Sequence, residues 1–168
     1  MRAADEDRHS ENQFRELASN LPTHSVHCVP YDPWATSENI RKSMLGNKRR
    51  DTVPELAVRR LLHAAGLRYR VDFAPLKGYR RRADVVFTKA RIAVFIDGCF
   101  WHGCPIHYRV PGTNVGYWEP KIARNVERDA ETTLALTEAG WRVLRYWEHD
   151  KPAMIAEHII RVVRPVAD

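Results

Sequence analysis

The run from Ile92 to His107, Ile-Ala-Val-Phe-Ile-Asp-Gly-Cys-Phe-Trp-His-Gly-Cys-Pro-Ile-His, constrains this chain more than any other stretch. Ile92 to Ile96 is a short, unbroken apolar run rich in β-formers, the pattern of a strand covered on both faces. Gly98 ends it. Cys99, His102, Cys104 and His107 follow within nine positions, two thiols and two imidazoles close enough to share one metal ion, with Phe100 and Trp101 wedged among them. A strand that only fills a core has no use for such an ending. The chain is expected to fold around a buried strand that delivers a site.

At 168 residues the chain suits one domain of ordinary size that buries a core without disulfides. Only three cysteines occur and no charged-then-apolar leader precedes the first helix pattern, so a reducing cytoplasm is the expected compartment. No run approaches the length of a membrane span. Lys and Arg outnumber Asp and Glu by 27 to 21, a formal charge of +6 that favours a polyanionic partner such as nucleic acid. A merely solvated basic surface explains the charge alone equally well.

Residues 1–35 are polar and punctuated by Pro22, Pro30 and Pro33, the composition of a flexible extension, which leaves residues 36–168 as the domain. Thr36 or Ser37 can cap a short helix carrying Ile40 and Met44, stopped by Gly46. Thr52 and Glu55 have the spacing of a capping box, with Pro54 in the first turn. That helix is expected to run to about Ala65, with Ala57, Val58, Leu61, Leu62 and Ala65 as its apolar stripe and Gly66 as its cap. Three strands should follow as a meander: Leu67 to Phe73, Ala83 to Phe87 and the Ile92 strand. The segment from Gly98 to Trp118 reads as a functional loop. A long helix is expected over Pro120 to Ala139 with Ile122, Val126, Thr133, Leu134 and Thr137 on one face. Trp141 to Trp147 then reads as a strand and Pro152 to Val163 as a last helix. The order predicts an α/β sheet of mixed direction with helices on both faces.

Several long motifs now stand in order: Phe95-Ile96-Asp97-Gly98-Cys99-Phe100-Trp101-His102, then Trp118, Lys121-Ile122, Asn125, Glu127-Arg128-Asp129, Gly140-Trp141-Arg142-Val143-Leu144 and Trp147-Glu148. Together with Arg50-Asp51-Thr52 and Glu55, they resemble the very short patch repair (Vsr) endonuclease family over roughly Met44 to His149. The resemblance implies a restriction-endonuclease-like fold with a structural zinc site. It implies an enzyme, a monomer, that nicks one strand of double-stranded DNA beside a T:G mismatch left by deamination of 5-methylcytosine. Such an enzyme would work at the nucleoid, with mismatch-repair proteins as further partners.

Hydrolysis of a phosphodiester requires a base for water and positive charge against the phosphate. In the family pattern the residue at Asp84 holds Mg2+, together with the backbone carbonyl at Ile96, and the residue at His102 is the general base. Glu55, Asp97 and Asp129 are the supporting acids. From the residues alone, Asp84 as a turn cap and His102 as a zinc ligand compete with these roles. Asp97 stands where some members have histidine, which makes it a candidate second metal carboxylate, and no lysine serves the site.

Cys99, His102, Cys104, His107 and His149 are five candidates for four tetrahedral positions around Zn2+. If His102 is the base, the ligands are Cys99, Cys104, His107 and His149. The family uses aromatics at Phe100, Trp101 and Trp118 as a wedge in the duplex, with Met44 entering from the opposite groove and Lys121 and Asn125 also on the DNA. Two other functions stay open: a nuclease of this fold acting on other mismatched or damaged DNA, and a non-catalytic zinc-containing DNA-binding module. Asp84 discriminates the last from an enzyme.

Overall fold

A Thr52 hydroxyl, a proline in the first turn and a buried Glu55 start the first helix, as their spacing predicts. A computed structural model describes residues 48–165, in the order α1 (Val53–Ala64), β1 (Arg70–Phe73), β2 (Ala83–Phe87), β3 (Ile92–Asp97), α2 (Val115–Glu138), β4 (Arg142–Trp147) and α3 (Pro152–Val163). The expected extension over residues 1–35 and the short helix with Ile40 and Met44 lie outside the described residues. Thr52 Oγ1 accepts from the Glu55 amide, while the Glu55 carboxylate accepts from the Thr52 hydroxyl at 2.8 Å and the Asp51 amide at 3.0 Å. The box therefore reaches one residue further back than the usual form.

The four strands form one mixed sheet in the order β1-β2-β3-β4. β1, β2 and β3 make the antiparallel meander, and β4 returns through α2 to lie parallel to β3. Every residue of β3 is buried. One face packs Val85, Val94, Ile96 and Leu144 against Val58 and Leu62 of α1 and Ile155 and Ile159 of α3. The other packs Ala83, Val86, Ala93 and Phe95 against Leu136 of α2. Helices thus cover both faces, as expected of an α/β nuclease-like fold.

The apolar stripes differ from those expected. Leu61 is 41% exposed while Glu55 and Arg59 turn inward with Val58 and Leu62. On α2, Val126 and Leu134 are 45% and 60% exposed, and Trp118, Ile122, Thr132 and Leu136 are buried. The reason is common to both helices: each presents polar groups to the interior, and a periodicity that counts only apolar residues rotates the stripe away from them. α2 also starts at Val115, so Pro120 sits inside it, where its missing N–H leaves the Gly116 carbonyl without its helical donor. The first strand is shorter than expected. Asp72 is left-handed (φ 47°), which breaks the alternation, so Tyr69 and Phe73 pack on different clusters.

Topology assembles the site. β2 runs antiparallel to β3, with Val85 opposite Val94, so Asp84 near its start lies beside the end of β3. β4 runs parallel, with Arg145 opposite Phe95 and Trp147 opposite Asp97, so its end lies there too. One edge of the sheet collects residues more than sixty positions apart in sequence, from Asp84 to His149.

Candidate active site and metal centre

Asp84, Asp97, His102, Asp129, Arg145 and Glu55 line one open cleft of about 980 Å³. Asp84 Oδ2 accepts a 2.7 Å hydrogen bond from the Ile96 amide. Burial pushes the Asp84 carboxyl up to about 7; the Ile96 amide counters this, and the charges of Glu55 and Asp97 add to it. A carboxylate so short of positive charge is built to receive a cation. Glu55 is 3% exposed and faces the cleft.

His102 is turned away from the thiols. Its Nδ1 lies 2.5 Å from Asp129 Oδ2 and 3.6 Å from Asp97 Oδ1. Burial disfavours the imidazolium, but the Asp129 hydrogen bond and the charges of both carboxylates outweigh it and raise its pKa. Behind the carboxylates lies Arg145. Its Nε and Nη2 bond the two oxygens of Asp97 at 2.7 and 2.8 Å, and Nη2 also lies 2.9 Å from Asp129 Oδ1. Burial opposes the ionised form of Asp129 as well, yet the His102 bond and the Arg145 charge hold its pKa below the ordinary value. Both oxygens of Asp97, the candidate second metal carboxylate, therefore meet a guanidinium.

A second cluster forms beside the first. Cys99 Sγ lies 3.0 Å from His149 Nδ1 and 3.7 Å from His107 Nδ1, Cys104 Sγ lies 3.8 and 3.9 Å from His107 and His149, and the two imidazole nitrogens are 3.1 Å apart. Tetrahedral sulfur and nitrogen ligands stand about 3.3 to 3.8 Å from one another, so this donor set fits one such ion. Burial, Cys104 and Glu148 push the Cys99 thiol up to about 12. Burial also works to raise Cys104, but backbone amides of His107, Ile106 and Tyr108 lower it. Asp150 stands 3.7 Å from His149 Nε2, a carboxylate behind the ring.

Phe100, Trp101 and Trp118 meet edge to face, with centroids 5.2 to 5.9 Å apart. Trp118 is 6% exposed and forms the base of the cluster. Lys121 Nζ lies 5.6, 5.0 and 5.2 Å from the rings of Trp101, Tyr117 and Trp118, and Asn125 donates to the Trp101 carbonyl at 2.9 Å. Lys48, Arg49, Arg80 and Arg81 add positive charge to the rim of the cleft. Met44 lies outside the described residues.

A family model described as DNA mismatch endonuclease Vsr matches residues 33–107. The type II nicking enzyme V.NaeI of Lentzea aerocolonigenes is 53% identical over 112 residues, covering 66% of this chain and 68% of that protein. The chain belongs to the Vsr family. It is therefore a DNA endonuclease, and other relatives agree. The type II nicking enzyme V.NmeDIP of Neisseria meningitidis serogroup C is 40% identical over 77% of this chain and 88% of its own. The DNA mismatch endonuclease Vsr of Escherichia coli (strain K12) is 42% identical over 64% of this chain and 67% of its own. The cleft of this Vsr chain is also lined by residues that sequence reasoning passed over. Arg145 carried a signal, a cation in the middle of a strand whose neighbours are bulky and apolar. Glu148, whose Oε1 takes the Cys99 amide at 2.6 Å, stood in a quoted motif without a role. Tyr117 had no signal beyond its type.

Proposed function

We propose that this chain nicks one strand of duplex DNA beside a T:G mismatch, starting repair of deaminated 5-methylcytosine. The observation that carries the reading is the juxtaposition of a half-buried, cation-seeking Asp84 with a His102 whose Nδ1 is held by Asp129. Asp84 and the Ile96 carbonyl would hold Mg2+. When bound, that ion supplies positive charge against the scissile phosphate and the departing oxygen. His102 takes the proton of the attacking water at Nε2, and Asp129 stabilises the imidazolium that results. Asp97 and Glu55 support the site without touching the water. Cys99, Cys104, His107 and His149 would hold a structural Zn2+ that ties the loop to the end of β4.

Single-strand cleavage is supported by relatives named as nicking enzymes, and mismatch choice by one named as a mismatch endonuclease. T:G is the mismatch that the family resemblance implies. Phe100 and Trp101 on their Trp118 base form the wedge, and unstacking costs least at a mispair. Lys121 and Asn125 flank it. The enzyme works as a monomer on chromosomal DNA at the cytoplasmic nucleoid, handing its nick to mismatch-repair proteins. Among the described residues no helix is long and apolar enough to cross a membrane. End-labelled duplexes carrying T:G, other mismatches or perfect pairs, incubated with magnesium, test the reading. One nicked strand in the T:G duplex is the expected product, equal nicking of all mismatches would replace the T:G assignment, and intact DNA throughout would leave a binding module.

A further inference from the structure

Three side chains in the cleft have the chemistry of a metal site: one donor atom each from Asp97, His102 and Asp129 lies within 4.8 Å of the others. The space they would share is already served by a cation of the chain itself. Arg145 bonds both oxygens of Asp97 and one of Asp129, and its Nη1 also reaches the Asp129 carbonyl at 3.2 Å and Thr133 Oγ1 at 3.4 Å. Its stem is fixed by β4 and its guanidinium lies 4.8 Å from the ring centroid of Phe95. A planar fork matches two carboxylates in a way a point charge cannot. Without it, two neighbouring carboxylates would face each other in a half-buried site and draw in any divalent ion available.

We propose that Arg145 is a positioning residue, a built-in counter-cation whose fork holds Asp97 and Asp129 so that Asp129 stays on Nδ1 of His102 and none of the three chelates a metal. The consequence is a division of labour. Positive charge for the phosphate comes at Asp84, while the His102 side of the cleft is kept free of divalent ions so that Nε2 remains a proton acceptor. The proposal rests on the reading of His102 as the base, and its metal arm does not.

The test uses full-length, zinc-loaded protein with Arg145→Met and Arg145→Lys. Arg145→Met should nick a saturating T:G duplex in single turnover about 100-fold more slowly, with a Kd for the duplex within about threefold of native. Arg145→Lys keeps the charge without the fork and should recover part of the rate. Manganese uptake, read by electron paramagnetic resonance of the free ion, is compared in Asp84→Ala and Asp84→Ala/Arg145→Met. The double variant should bind one ion more per chain. A native nicking rate in Arg145→Met, or a loss of DNA affinity as large as the loss of rate, overturns the positioning role. No gain of manganese overturns the counter-cation role. Should Arg145→Met not fold, a native rate in folded Arg145→Lys overturns the need for the fork. His102→Ala is run alongside: a native rate there sinks the base assignment, while the manganese comparison still reads Arg145.

Discussion

His102 and Asp84 are opposite uses of one physical setting. Both line one cleft, but His102 has two carboxylates before it, whereas Asp84 is flanked by the charges of Glu55 and Asp97 and offset only by the Ile96 amide and the more distant His102. For His102 the raised pKa means that the neutral base forms only above the ordinary imidazole value of 6.5. The nicking rate should therefore climb with pH through a midpoint above that value, and Asp129→Asn should lower both the midpoint and the maximal rate. His102→Ala should lose about a hundredfold to ten-thousandfold in rate while keeping its affinity for DNA. Single-turnover rates measured across pH check all three; a midpoint unmoved in Asp129→Asn would separate Asp129 from the proton. For Asp84 the raised value bears on stability. Between 3.8 and about 7 the unfolded chain has released this proton and the folded chain has not, so stability is full below 3.8 and is lost as pH rises toward about 7. The loss is on the order of 4 kcal/mol for so large a shift. Zinc-loaded, magnesium-free protein should melt lower at pH 8 than at pH 5, with magnesium restoring part of the difference and Asp84→Asn flattening the dependence. A flat profile in the native chain would show Asp84 ionised without a metal.

At the scale of elements, the loop between β3 and α2 is seated by its own turn chemistry. Its amides return to Gly98 and Cys99, with His102 N to Gly98 O at 3.1 Å and Cys104 N to Cys99 O at 2.9 Å. Gly103 stands between the proposed base and a proposed zinc ligand in the left-handed region, φ +65°, and a Cβ there would meet Val126 Cγ2 at 3.0 Å. Gly103→Ala therefore carries a left-handed cost of about 1 to 2 kcal/mol and also lifts the loop off α2. Zinc content and melting temperature should both fall, as they should for Cys104→Ser or His149→Ala, because a structural metal site is part of the folding free energy. Metal analysis beside a thermal melt decides it, and full zinc with native melting in His149→Ala would take that residue out of the ligand set.

At the scale of the whole molecule, two separable forces should bring DNA to the cleft. The basic rim acts on any duplex, through phosphates and with strong salt dependence. The aromatic cluster acts only where a base step opens. Trp101→Ala should thus cost preference for T:G over paired DNA while leaving the salt dependence of binding unchanged. Arg80→Ala should weaken both duplexes alike and reduce the salt slope by about one. Titrations of matched and mismatched duplexes at several salt concentrations separate the two, and an unchanged preference in Trp101→Ala would make that ring a packing residue.

The buried β3, the helix caps at Thr52 and Gly66, the order of elements and the Cys and His types in the loop were all legible in the sequence, because each rests on local chemistry within a few residues. The inward faces of α1 and α2 were read only in part, since Glu55, Arg59 and Thr132 take buried positions that an apolar periodicity does not count. Which histidine joins the thiols was also beyond local reading: the spacing offers five donors, and only the crossover that sets β4 parallel to β3 brings His149 to Cys99. The same crossover carries Arg145 beneath Asp97 and Asp129 from forty-eight and sixteen residues away. Residue types are written along the chain, but the partners that set their charge and direction are chosen by strand pairing, which acts at distances that no local pattern encodes.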